Sequence, residues 1–186
     1  MNHAEHAMIA AGLAEDLRTC EPAMDSEAFA GFYERSARPL WAYLARVSGD
    51  ATLADDLMQE AYLRFLESSP RTDGETDARR YLFRIATNLM RDHWRRPATT
   101  ALEDVPEQMF AGEDGAAGAE ALAMLGPALA RLRPRERQLL WLAHAEGYSH
   151  AEIAGITGLA AASIRLLLFF ARRHMMRLIE KKGAGC

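Results

Sequence analysis

Apolar residues recur along this chain with the 3.6-residue period of a helix, and no stretch alternates as a strand does. Asp25-Ser26 starts a helix carrying Phe29, Phe32 and Tyr33, with Glu27 and Glu34 outward. Arg38-Pro39 is expected to interrupt it, and Leu40, Trp41, Tyr43, Leu44 and Val47 continue an apolar face up to Ser48-Gly49-Asp50. Thr52 is the expected N-cap of the next helix, with Asp55 three residues on as in a capping box. Leu53, Leu57, Ala61 and Phe65 share one face of that helix, while Asp55, Asp56, Gln59 and Glu60 project elsewhere. Ser68-Ser69-Pro70 ends it. Asp77 is expected to cap a third helix in which Leu82, Ile85, Leu89 and Trp94 face the core, and Pro97 stops it.

From Ala98 to Gly118 the composition shifts to Ala, Gly, Asp and Glu with little apolar periodicity, which is the composition of a flexible linker. A second helical module follows. Leu122, Leu125, Leu129 and Leu132 mark its first helix, and Pro134 suits the first turn of the next, Arg135 to Glu146, with Leu139, Leu140 and Leu142 inward. Gly147 stops that helix. Ser149 opens S-H-A-E, a capping box closed by Glu152, for a short helix through Ile153 and Ile156. Gly158 supplies a turn and a longer helix begins near Ala161, which is the spacing of a helix-turn-helix.

The expected fold is therefore all-α: two small helical domains joined by a flexible linker, the second containing the helix-turn-helix. An N-terminal arm (1–24, with a short helix from Ile9 to Leu17) precedes the first domain (25–97). The linker is 98–119, the second domain 120–182 and a tail 183–186.

Charge is sorted along this plan. Residues 79–96 (RRYLFRIATNLMRDHWRR) hold six arginines and one acid, 97–120 hold six acids and no base, and 121–186 hold ten bases and four acids. Arginines neutralise phosphates, and aromatic faces such as Tyr81, Phe83 and Trp94 stack on unpaired bases. The strip thus reads as a surface for melting nucleic acid, against the alternative of a core helix with a solvated basic face.

The second helix of the helix-turn-helix, AASIRLLLFFARRHMM, is mostly apolar in its first half. Ser163 and Arg165 are its candidates for reading bases, and Arg172 and Arg173 for phosphates. Ile164, Leu167 or Leu168, Ala171, Met175 and Leu178 can face the module's core. Leu166, Phe169 and Phe170 are surplus apolar surface that would meet another protein, the first module or a thymine methyl.

Other chemistry is sparse. Cys20 and Cys186 lie near opposite ends and form no CxxC, and His3, His6 and Cys20 lack a fourth partner at metal-ligand spacing. There is no nucleophile–base pair and no phosphate-binding glycine loop, so no enzyme, cofactor or small-molecule substrate is expected. No apolar run approaches the roughly 20 residues that span a bilayer, and the start lacks the pattern of a secretion signal. A cytoplasmic protein without membrane insertion is expected.

DDLMQEAYLRFLE (Asp55 to Glu67) followed by YLFRIATNLMRDHWRR (Tyr81 to Arg96) resembles domain two of the sigma-70 family factors. LRPRERQLLWLAHAEGYSHAEIAGITGLAAASIRLLLFFARR (Leu132 to Arg173) resembles their domain four, and the two-domain layout is that of the extracytoplasmic-function (group IV) sigma factors. The resemblance covers about residues 25–180. It implies that Asp55, Asp56, Leu57, Gln59 and Glu60 dock on core RNA polymerase. Arg80, Arg84, Asn88, Asp92, Arg95 and Arg96 would bind the minus-ten element of promoter DNA, and Arg135, Ser163, Arg165, Arg172 and Arg173 the minus-thirty-five element. It also implies an anti-sigma partner, for which Leu166, Phe169 and Phe170 are the candidate contacts.

The departures fall mostly on the last helix. Ala160 replaces the usual Ser cap, Leu166 and Leu167 the usual Ser and Arg, and Phe170 the first Arg of the final triplet; Tyr81 stands for a usual Trp. The leading expectation is an alternative sigma factor. The alternatives are a sigma-like mimic that titrates an anti-sigma factor without initiating transcription, and a dimeric helix-turn-helix repressor.

Overall fold

The computed structural model describes residues 24–95 and 125–183, and among them every regular element is a helix. The arm before residue 24, the linker 98–119, Arg96 and the last three residues lie outside the described residues, as do the helix expected from Ile9 to Leu17 and Leu122. The first module comprises α1 (Ser26–Ser48), α2 (Ala51–Ser68) and α3 (Glu75–Arg95). A helical segment at 125–130 leads into the second, with α4 (Pro134–His144), α5 (His150–Thr157) and α6 (Ala161–Gly183).

Asp25 caps α1 as the sequence suggests, accepting the Ala28 N–H at 2.8 Å. Pro39, expected to break the helix, lies inside it. Its missing N–H removes one backbone bond. The buried face runs unbroken through the proline, however, from Phe32 and Ser36 to Leu40, Tyr43, Leu44 and Val47. Packing on both sides of Pro39 offsets the lost bond.

The cap of α2 is Asp50 and not Thr52: its carboxylate accepts the Leu53 N–H at 2.9 Å. Gly49, at φ 80°, turns the chain out of α1 in one residue, so the next helix starts earlier than the capping pattern suggested. The basic helix also begins early. Ala78 N–H bonds the Gly74 carbonyl at 3.1 Å, which places Asp77 inside the first turn, 3.6 Å from Arg80.

The first module's core joins the stacked rings of Phe32 and Phe65, 5.2 Å apart, to Leu57, Ala61, Leu82 and Leu89. In the second module the Ser149–Glu152 capping box forms as expected, and Gly158 at φ 69° ends α5. Helices α5 and α6 meet at 99°, within the helix-turn-helix range.

The two modules share one core. Helix α1 packs on α4, and α3 packs on α5. Gln138 donates to the Tyr43 hydroxyl at 2.8 Å, and the rings of Phe83 and Tyr148 meet edge to face at 5.7 Å. No single described helix is long and apolar enough to cross a membrane.

Candidate nucleic-acid and polymerase interfaces

Helix α3 is buried along two sides. Leu82, Leu89 and Ala78 face the first module, as the periodicity indicated, while Phe83, Thr87 and Met90 are closed in as well. One stripe is left open along the middle of the helix, and its last turn, 91–95, is exposed throughout. Arg84, Asn88, Asp92 and Arg95 recur on it at helical spacing and are exposed. Asp92 accepts from Arg95 at 2.5 Å, and the Arg84 guanidinium lies 4.8 Å from the centre of the Tyr81 ring.

The three aromatic side chains of this strip part company. Phe83 has no exposed surface and packs against Tyr43 and Tyr148, so it has no face to offer a base. Trp94, expected in the core, is 38% exposed because it lies beyond the last packed turn of α3. Tyr81 is half-buried, resting on Phe65 with its other side toward Arg84. Arg80 is shared between Asp77 and, at 3.5 Å, Glu152 of the second module. A cleft of about 480 Å³ runs beside it, walled by Arg71, Arg80, Tyr81 and Arg84 on one side and Gly155 and Ile156 on the other.

On α2, Asp55, Asp56 and Gln59 are exposed and Glu60 is half-buried. Asp55 accepts the indole N–H of Trp41 at 2.7 Å, and Glu60 pairs with Arg64 at 2.7 Å. Leu57 is 8% exposed and belongs to the core, so it braces this acidic face from beneath.

On α6, Ile164, Leu168 and Ala171 are buried and hold the helix on its module. Leu167, Met175 and Leu178 pack partly against the same core. Leu166, Phe169 and Phe170 are 56%, 50% and 53% exposed. With Arg173 they fall at positions i, i+3, i+4 and i+7, on one outward stripe. Arg173 lies 5.8 Å from the Phe169 ring centre.

Ser163 and Arg165 are exposed in the first turns of α6, and Arg135 is exposed at the start of α4, where it lines a pocket with Arg91, Trp94 and Leu159. Arg172 leans the other way, toward α4, donating from Nε to His144 Nε2 at 3.2 Å. It lines an apolar groove of about 710 Å³ with Leu125, Leu129, Trp141 and Met175.

Sequence reasoning missed Arg79 and Arg91, which reach the second module: Arg79 meets Glu146 at 2.6 Å and Arg91 donates to the Thr157 carbonyl at 2.8 Å. The buried faces of Thr87 and Phe83 lie on the same side, a signal of partners beyond the three-helix module. Burial raises the Glu146 carboxyl above its usual range, against the pull of Arg79 and the Trp141 indole. Among the described residues, no group of His, Cys, Asp and Glu is arranged to hold a metal ion.

The family models for Sigma-70 region 2 and Sigma-70 region 4 match residues 32–99 and 122–175. Over 156 residues the chain is 32% identical to the ECF RNA polymerase sigma factor SigC of Mycobacterium tuberculosis, covering 82% of this chain and 83% of that protein. In structure it is similar to the sigma factor RpoE of Bartonella quintana, solved with the anti-sigma factor NepR. That likeness has a TM-score of 0.66 at 22% identity, covering 82% of this chain and 96% of that one. It is also similar to CnrH in complex with the cytosolic domain of CnrY, with a TM-score of 0.61 at 22% identity over 84% of this chain and 90% of that one.

Proposed function

The chain belongs to the sigma-70 family, in its extracytoplasmic-function group, and from that premise we propose how its surfaces divide the work of an alternative sigma factor. It binds core RNA polymerase and directs initiation at specific promoters. It carries no catalytic chemistry of its own and acts in the cytoplasm, where polymerase and DNA are.

The observation that carries this division is the placement of two unlike surfaces on adjacent helices of one module. Asp55, Asp56, Gln59 and Glu60 present an acidic face, suited to a basic helical partner on the polymerase. Arg84, Asn88, Asp92 and Arg95 present a basic, hydrogen-bonding stripe beside a cleft, suited to phosphates and an extruded minus-ten base. Arg80 joins it when free of Glu152, and Arg96 continues the charge in sequence.

Arg135, Ser163, Arg165 and Arg173 are assigned to the minus-thirty-five element, and Arg172 contributes charge from the flank. The apolar stripe of Leu166, Phe169 and Phe170 is assigned to an anti-sigma factor, a control that RpoE, solved with the anti-sigma factor NepR, supports by analogy. Its anchors have the spacing of a helix face that enters a hydrophobic groove.

The test is run-off transcription with purified core polymerase on a promoter library at fixed salt. Initiation from a discrete set of promoters is expected. Core binding without initiation on any promoter would instead favour a sigma-like mimic that titrates an anti-sigma factor.

A further inference from the structure

A cavity of about 370 Å³ opens between the end of α3 and the start of α4, with walls from both modules. Its lining divides into two chemistries. Arg91, Arg133 and Arg135 supply three guanidinium groups, Trp94, Pro134 and Leu159 supply apolar surface, and no acid is among the lining residues. None of the three arginines is in an ion pair among the described residues. Arg91 is nevertheless held in place, donating to the Thr157 carbonyl at 2.8 Å, a neutral acceptor that leaves its charge uncompensated. The carboxylate of Glu136 is engaged elsewhere, accepting from the Arg133 backbone N–H and lying 2.8 Å from His174 Nδ1. Three like charges gathered at one concavity repel one another, and an anion seated among them relieves that repulsion.

We propose that this cavity is a binding site for a free nucleotide, its phosphates on Arg91, Arg133 and Arg135 and its base against the Trp94 indole. Guanidinium groups match phosphate oxygens in charge and in hydrogen-bonding geometry, and an indole face stacks on any base. A volume of about 370 Å³ lies at the small end of ligand sites, the scale of a mononucleotide and far below that of a duplex. Two phosphates suit three guanidinium groups, so a nucleoside diphosphate is the class assigned. The Thr87 hydroxyl and the Gln138 amide in the lining already bond Tyr43, so no preference for one base is assigned. The site stands whether or not α3 meets promoter DNA.

Calorimetric titration of the full chain with ADP at fixed salt reads the site. Adenosine and inorganic pyrophosphate probe its two halves, and a short single-stranded DNA of mixed sequence probes a polynucleotide source for the same chemistry. Arg133→Gln and Trp94→Ala each remove one chemistry at an exposed position, and Arg177→Gln makes the same charge change on α6, outside the cavity. Arg135, assigned above to the minus-thirty-five element, is left unchanged so that nucleotide binding is read apart from that role. Circular dichroism checks that helicity is kept. If Trp94→Ala loses helicity, Trp94→Leu takes its place.

One ADP per chain is expected, with a Kd lower than that of adenosine or pyrophosphate by about tenfold or more. Each cavity variant should weaken ADP by about fivefold or more, and Arg177→Gln by about twofold at most. No binding of ADP at about 1 mM overturns the site, as do equal losses in Arg133→Gln and Arg177→Gln, which would mean a diffuse attraction of charge. Pyrophosphate binding as tightly as ADP overturns the nucleotide assignment, because the indole then contributes nothing. Binding of the oligonucleotide but not of ADP, lost in the two cavity variants, overturns a free nucleotide as the occupant and gives the cavity to a DNA strand.

Discussion

Gln138 on α4 donates its side-chain amide to the hydroxyl of Tyr43 on α1 at 2.8 Å, and that hydroxyl shares a second hydrogen bond with Thr87 on α3 at 2.7 Å. One buried oxygen thus ties three helices from both modules. Burial pushes the Tyr43 phenol up to about 12, so it stays neutral and the network keeps its protons at any physiological pH. Tyr43→Phe leaves Gln138 and Thr87 without this partner inside the core. It is expected to cost about 1–3 kcal/mol in urea unfolding of the full chain. An unchanged midpoint and slope would mean the network contributes nothing to the closed arrangement.

The acidic face of α2 separates recognition from support. Gln59→Ala and Asp56→Ala change exposed side chains, so stability should stay within about 0.5 kcal/mol while affinity for core polymerase falls. Leu57→Ala, in the core beneath them, is expected to cost about 2–4 kcal/mol of stability. Thermal unfolding paired with a polymerase competition assay checks both. Retention of full polymerase affinity by the two exposed variants removes the docking assignment.

Asn88 is exposed midway along the open stripe of α3. Asn88→Ala should reduce open-complex formation, read by permanganate reactivity of the melted strand, with core binding retained. If core binding is lost instead, the stripe faces polymerase and not DNA.

On α6, replacing Leu166, Phe169 and Phe170 with serine removes surface that the module does not use for its own packing. The fold should be kept, and binding to an anti-sigma partner should weaken by at least about tenfold, the equivalent of 1.4 kcal/mol. Calorimetric titration with that partner decides it, and equal affinity for the triple variant would falsify the assignment.

Glu146 gives the protein a pH dependence of defined sign. Burial, the leading cause, raises its folded pKa above the ordinary 4.5. The side chain's contribution to stability is therefore complete below 4.5 and is lost as pH rises through the raised folded value. Glu152 has the opposite sign: hydrogen bonds from Ser149 lower its carboxyl, which adds stability above the ordinary value and loses it as pH falls. Comparing Glu146→Gln with the unmodified protein isolates the first effect. The stability of the unmodified protein minus that of the variant should decline with rising pH just above 4.5, measured by urea unfolding across a pH series. A flat difference counts against a buried, titrating Glu146.

What the sequence determined by itself was the local part of the protein. Helical periodicity, the Asp25 cap, the Ser149–Glu152 capping box and the glycine at 158 are written in neighbouring residues, and short-range hydrogen bonds and backbone sterics are sufficient to impose them. The resemblance to sigma-70 domains two and four, read on the two motif blocks in their order, singled out Arg84, Asn88 and Asp92.

Tertiary structure decided the rest. Pro39 stays inside α1 because apolar residues on both sides of it find partners. Phe83 and Thr87 are buried because a second module lies on the side of α3 that an isolated helix would leave to solvent. Arg79, Arg80 and Arg91 look alike in sequence to Arg84 and Arg95, and only the arrival of Glu146, Glu152 and the Thr157 carbonyl distinguishes them. These partners come from more than 60 residues away in the chain. No local pattern encodes such pairings: they depend on which faces the two modules turn to each other, a balance of burial and desolvation over the whole interface.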